Sequence, residues 1–245
     1  MIVVGIVLAV ALGMMAIEAT APGRNWPQVS GWWTRALALT AVQMAVALGA
    51  GRVWDGWMAN RRPWSADALG PVGGVVVGYV AITFVYYWWH RWRHESPFLW
   101  RVLHQLHHSP QRIEIVTSFY KHPLEIFANG ILSSAIVYLG VGLGPEAAAG
   151  AIALTGLAEL VYHWNVRTPH WLGYLIQRPE SHWVHHQEGV HSFNYADLPV
   201  WDMLFGTFRN PRRFESRCGF GEDEHRLGTL LAGIDLTTRD SARAS

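Results

Sequence analysis

The chain has 245 residues and a formal net charge of +1, with 51% hydrophobic and 15% charged residues; a soluble globular domain usually carries about 25% charged residues. Near-neutrality provides no electrostatic footprint for nucleic acid or another strongly charged partner. The single cysteine, Cys218, excludes an internal disulfide and a thiolate zinc cage.

Residues 1–17 are uncharged, and roughly 20 apolar residues span a bilayer as a helix. Ala19-Thr20-Ala21 resembles a signal cleavage site. No Lys or Arg precedes the apolar run, as a secretory signal requires, so a retained membrane helix is expected. A shorter apolar run covers 36–50 and a third covers 70–89. A fourth and a fifth, 123–143 and 146–164, are separated by Gly144-Pro145, which predicts a hairpin turn. Many of the 14 Trp flank these runs, as in Trp32-Trp33, Trp54, Trp57, Trp88-Trp89 and Trp164, the pattern of an interfacial aromatic belt. The reading is an all-α integral membrane protein of about four to five transmembrane helices, with membrane helices alone over 1–70 and a disordered tail over 236–245.

Charge sets the expected orientation. Residues 90–121 hold Arg91, Arg93, Arg101, Arg112 and Lys121, and the chain beyond Arg167 is again rich in Arg, whereas the Gly144 turn has only Glu146. The positive-inside rule places the first two on the cytoplasmic side and the turn across the membrane. The loop 51–68, with Arg52, Arg61 and Arg62, fits that orientation less well. Lys121 is the only lysine, a bias of GC-rich genomes, so a bacterial inner membrane is the expected location.

Histidines gather at the cytoplasmic boundary of these runs. His90 and His94 are four apart at the end of the third run and share a helix face. In the next segment Ser96 is the expected N-cap, Pro97 the first helical residue and Pro110 the stop. Between them His104, His107 and His108 share a face, and His163 ends the fifth run. A last short helix, begun by Pro179 and stopped by Gly189, repeats the spacing with His182, His185 and His186. Neutral imidazole is the commonest protein metal ligand. Nine imidazoles at one depth are more than one ion can use, so a pair of ions is expected, from Fe, Zn, Cu or Ni by ligand type. His122, Glu159, Glu180 and Asn194 are candidates for additional ligands or for partners of the ligand rings. His170, His191 and His225 are read as structural or interfacial.

H-x3-H, then H-x2-H-H, then a membrane hairpin, then a second H-x2-H-H resembles the fatty acid hydroxylase/sterol desaturase superfamily. "KHPLE" at 121–125, "HWNVRTPHW" at 163–171, "NY" at 194–195 and "WDMLFGTF" at 201–208 match it too, and the resemblance covers about residues 76–235. It implies a catalytic domain over 71–235, with the eight box histidines as ligands of a di-iron centre and His163 as a further functional histidine; zinc could replace iron on isolation. It also implies O2 as co-substrate and hydroxylation or desaturation of a lipid C–H bond. Electrons would come from a separate donor: a ferredoxin, a cytochrome b5-like protein or a reductase. The chain departs from the pattern at Ala196, where Gly is usual after "NY", and in "HHQEGVH". The alternatives are a zinc hydrolase at the membrane surface, which needs about three protein ligands per ion, and a non-enzymatic metal-binding or transport protein, which would string ligands along a membrane path.

Overall fold

A backbone in hydrocarbon must satisfy its own hydrogen bonds, so uncharged runs of this length become helices. The computed structural model describes residues 2–237 and is helical throughout its regular parts; among the described residues the only β-type pairing is an isolated bridge between Gln187 and Cys218. Five long segments form the body: α1 (Ile2–Thr20), α2 (Trp32–Ala50, continued through a wide turn into α3, Gly56–Ala59), α4 (Gly70–Glu95), α7 (Pro123–Ser134, likewise continued to Val141) and α8 (Pro145–His163). Short helices α5 (Pro97–Leu99), α6 (Gln105–His108), α9 (Pro179–His185), α10 (Pro199–Leu204) and α11 (Leu227–Leu231) belong to the segments outside the long helices. The expected tail, 236–245, lies outside the described residues from 238 onward.

Among the described residues three helical stretches are long and apolar enough to cross a membrane: Trp32–Ala59, Asp67–Glu95 and Pro123–Val141. The expectation of four to five spans also counted α1, whose apolar part is shorter (Gly5–Thr20), and α8, which carries Glu146 and Glu159 within 19 residues.

Small residues fix the register of the bundle. A Cβ on Gly74 would lie 2.8 Å from Ala147 Cβ, and one on Gly78 would lie 2.8 Å from Ala151 Cβ and 2.7 Å from Leu143 Cδ1. Gly-xxx-Gly on α4 against Ala-xxx-Ala on α8 lets two backbones approach closely. Both pairings advance in the same direction, so α4 and α8 run parallel, with α7 returning between them. His90 lies twelve residues beyond Gly78, and His163 twelve beyond Ala151. At about 1.5 Å per residue both therefore emerge about 18 Å from the crossing, at one level. The hairpin turn forms as expected: Gly142 adopts φ +81°, its carbonyl accepts from Ala66 N and Arg62 Nη1, and Trp64 packs where a Cβ would stand. The 60–69 loop thus lies at the Gly144 end, opposite the histidines.

The aromatic-belt reading needs correction. Trp32 is buried and Trp33 exposed; Trp54 is buried and Trp57 exposed. The inward member of each pair has a polar partner for its indole N–H: Trp32 Nε1 donates to Glu114 at 3.0 Å and Trp54 Nε1 to Ser134 Oγ at 3.1 Å. Two of the seven expected belt residues, Trp32 and Trp54, are therefore core, and Trp88, Trp89 and Trp164 are partly buried.

Candidate metal centre

Every histidine box sits on a helix end that the local sequence builds. α4 carries His90 and His94 in its last turns, and its cap, Ser96, accepts from Leu99 N as expected. Residues 97–108 are one helical segment, with Pro97 at its start and His108 as its last residue, and with a wide turn at Trp100–His104. α9 begins at Pro179 and ends at His185, four residues short of the expected stop at Gly189.

These ends bring the nine histidines into two groups. The first is His90, His94, His104, His108 and His185; the second is His107, His163, His182 and His186; within each, one ring nitrogen per residue lies within 4.8 Å of the others. The three histidines of a box, which share a face by spacing, are divided between the groups. In 104–108 the i, i+4 pair joins the first group and the middle histidine the second. In 182–186 the pair joins the second group and the middle histidine the first. The repeated H-x2-H-H is thus a reciprocal exchange of ligands between two adjoining clusters, whose rings stack directly at His108 and His186, 4.3 Å apart.

Five contacts join Nε2 to Nε2: His90–His104 at 3.0 Å, His104–His108 at 3.2 Å, His107–His163 at 3.2 Å, His163–His182 at 3.1 Å and His182–His186 at 3.0 Å. They are not ordinary hydrogen bonds, because the Nδ1–H groups of several rings are already committed. His90 Nδ1 donates to Tyr195 O at 2.8 Å, His163 Nδ1 to Glu159 O at 2.9 Å, His185 Nδ1 to Phe193 O at 2.7 Å and His104 Nδ1 to the Glu125 carboxylate at 3.0 Å. The Nε2 atoms of these four rings then carry bare lone pairs, which face one another at His90 and His104. Burial holds His104, His107, His108, His182 and His186 well below the usual imidazole range and His185 at about 3, so these rings are neutral. Buried nitrogens of His94 (Nε2), His185 (Nε2) and His186 (Nδ1) have no partner. Converging ring nitrogens, four of them with the ring proton held on the far side, fit a cation. At a metal–imidazole distance of about 2.0–2.1 Å, neighbouring ligands at right angles stand about 3 Å apart.

Of the four further candidates, none joins either group. His122 caps α7 through Leu124 N and contacts Leu231 O. The Glu159 carboxylate pairs with Lys121, while its carbonyl serves His163. Glu180 accepts from Thr168 N and Oγ1 and pairs with Arg178. Asn194 donates to Ser181 O and its carbonyl accepts from Gln177 Nε2, which also lies 2.7 Å from His182 Nδ1. His170 and His225 keep structural contacts, with Asn210 O and Arg35. His191 does not stay apart: its ring packs on Trp100 and stands 3.4 Å from His108 Nδ1.

Spacing missed the residues that orient the rings. Glu125, fully buried, takes His104 Nδ1–H and Arg93 together; the signal was a carboxylate in the first turn of an otherwise apolar helix. Asp202 of "WDMLFGTF" accepts from Tyr195 N, Ala196 N and Thr207 Oγ1, and so fixes the loop whose Tyr195 carbonyl holds His90. Phe193 (φ +66°) and Asn194 (φ +51°) are left-handed there, backbone strain that aims the Phe193 carbonyl at His185.

Residues 75–207 match the family model described as Fatty acid hydroxylase. The chain belongs to the fatty acid hydroxylase family. It is 28% identical over 162 residues to human alkylglycerol monooxygenase, covering 64% of this chain and 34% of that one. It is 35% identical over 145 residues to the ornithine lipid hydroxylase OlsE of Rhizobium tropici (57% and 43%). It is 26% identical over 130 residues to the sphingolipid C4-hydroxylase sur2 of Schizosaccharomyces pombe (51% and 44%). The chain thus spans less than half the length of each of these relatives. No solved structure matches it.

Proposed function

We propose that this chain is a membrane-bound di-iron oxygenase that hydroxylates, or desaturates, a C–H bond of a lipid, with residues 71–235 as its catalytic unit. The observation that carries the reading is the pair of imidazole clusters whose Nε2 atoms converge at 3.0–3.2 Å, at one end of an apolar bundle in a chain of this family. His90, His94, His104, His108 and His185 would hold one ion, and His107, His163, His182 and His186 the other. Iron bound there would supply the activation of O2 and the removal of hydrogen from an unactivated C–H bond. Relatives named for alkylglycerol, ornithine lipid and sphingolipid support a lipid substrate drawn from the bilayer.

The protein's own part is orientation and exclusion of water. The Tyr195, Phe193 and Glu159 carbonyls and the Glu125 carboxylate hold Nδ1 protons, which fixes the tautomers and keeps each Nε2 basic. Trp100 and Tyr162 close over the rings: Trp100 packs on His94 and His108, and Tyr162 on His163 and His182. In hydroxylation one oxygen atom enters the C–H bond and the other leaves as water, which takes two electrons and two protons from outside. A separate electron donor therefore belongs to the reading, as does a bacterial inner membrane with the histidines on its cytoplasmic side, the side favoured by the arginines of 90–121 and 167–226.

The test is lipid mass spectrometry of host cells with and without the gene. A lipid class one oxygen atom heavier, or two hydrogens lighter, is expected only with the intact protein, and it should vanish in His107→Ala. An unchanged lipid profile under iron-replete, aerobic growth would contradict the reading.

A further inference from the structure

Between α4, α7 and α8, on the helical side of the histidines, lies a cavity of about 40 Å3 whose walls include His90, His104, His107 and His182, from both groups. Its other walls carry charge that is mostly paired: Arg93 binds Glu125, and Lys121 binds Glu159. Asp197 has no cation of its own: it is 9% exposed, the Tyr162 hydroxyl donates to its carboxyl, and its Oδ2 is buried without a hydrogen-bond partner; Glu125 Oε2 is likewise unpartnered, but that carboxylate is held by Arg93 and His104. Both cations lining the cavity are already committed to other carboxylates. Burial, and next the neighbouring Glu159 charge, push the Asp197 carboxyl up to about 7, the signature of an acid held away from a counter-ion. A buried polar atom left unpaired is destabilising, and the residue persists where a ligand supplies the missing donor.

Size limits what that ligand offers. One water needs about 10–15 Å3 of such space, so the cavity admits a few non-hydrogen atoms and not an acyl chain.

We propose that this cavity takes the polar end of the lipid, an ammonium or hydroxyl group that donates to Asp197, and that the oxidised C–H bond therefore lies within a few bonds of that group rather than far along the acyl chain. The inference rests on the di-metal reading above and adds the substrate class and the residue that selects it. Asp197 is a specificity residue here, with no part in holding metal.

Binding tests this without turnover. Zinc-loaded full-length protein in a neutral detergent would be titrated with radiolabelled hexadecylamine, hexadecanol and palmitate, probes of equal chain length. The amine and the alcohol should bind at least ten-fold more tightly than the carboxylate. In Asp197→Asn the amine should lose about ten-fold while zinc content stays that of the parent. Equal affinity for amine and palmitate in the parent would overturn the proposal without recourse to any variant. So would an Asp197→Asn protein with full zinc and unchanged amine binding. A parent protein that held no zinc would instead overturn the metal-centre reading, and this proposal with it.

Discussion

His163 has no histidine three or four residues away, so spacing alone gives it the weakest support. Its surroundings supply the rest. Its Nε2 touches those of both His107 and His182, and its Nδ1 is held by Glu159 O. His170, seven residues on, contacts Asn210 and Tyr174 and joins neither histidine group. His163→Ala should lower metal affinity at least 10–100-fold, the range set by loss of the groups that merely orient ligands, while His170→Ala should leave it near normal; competition with a graded chelator measures both. Equal retention in the two variants would return His163 to a structural role. Glu125→Ala tests the orienting network, since it strips His104 Nδ1 and Arg93 of their shared acceptor at one stroke. A 10–100-fold loss of affinity is expected there too, and an unchanged chelator midpoint would show that His104 holds its geometry without help.

The level of the site is set by the α4–α8 crossing. Gly78→Val would drive side-chain carbon into Leu143 and Ala151, where even a Cβ lies 2.7–2.8 Å from its neighbours. Overpacking of this kind costs about 1–3 kcal/mol, and sliding one helix should also misalign His90 with His163. Gly156→Ala on α8, where a Cβ meets nothing within 4 Å, is the control. Thermal unfolding in detergent should fall for the first variant only, together with its metal content. Much of this element scale was legible in advance: the helix starts at Pro97, Pro123, Pro145 and Pro179, the Gly144 turn and the common depth of the histidines all follow from local chemistry. The division of each box between two groups was not, because i, i+3, i+4 spacing states which residues share a face, not what lies opposite it. Asp202 and Gln177 were illegible for a similar reason, and Glu125 was marked only as a carboxylate at the start of an apolar helix, without its role. Their partners, His104, Tyr195 N and His182, are supplied by the folded chain, and nothing in periodicity marks a carboxylate or amide as the neighbour of a ring nitrogen.

For the molecule as a whole, the segments 90–121 and 167–226 concentrate arginine at the histidine end, against Arg61 and Arg62 at the other. The histidines occupy one end, and the Gly144 turn with the 60–69 loop the other. Cys218 is buried and its thiol is held protonated by burial, so the native chain gives a low labelling background. In intact cells a membrane-impermeant maleimide should label Glu146→Cys, which is exposed on the far end, and should reach Glu215→Cys, exposed on the histidine end, only after the membrane is opened. Reversed labelling would overturn the orientation and the assumption of a cytosolic electron donor. The central claim is a pair of ions held by nine imidazoles, and metal analysis by plasma mass spectrometry on protein purified under reducing, iron-replete conditions tests it most directly. Two metal ions per chain are expected; a ratio that stays near one after full metal loading would contradict the dinuclear centre.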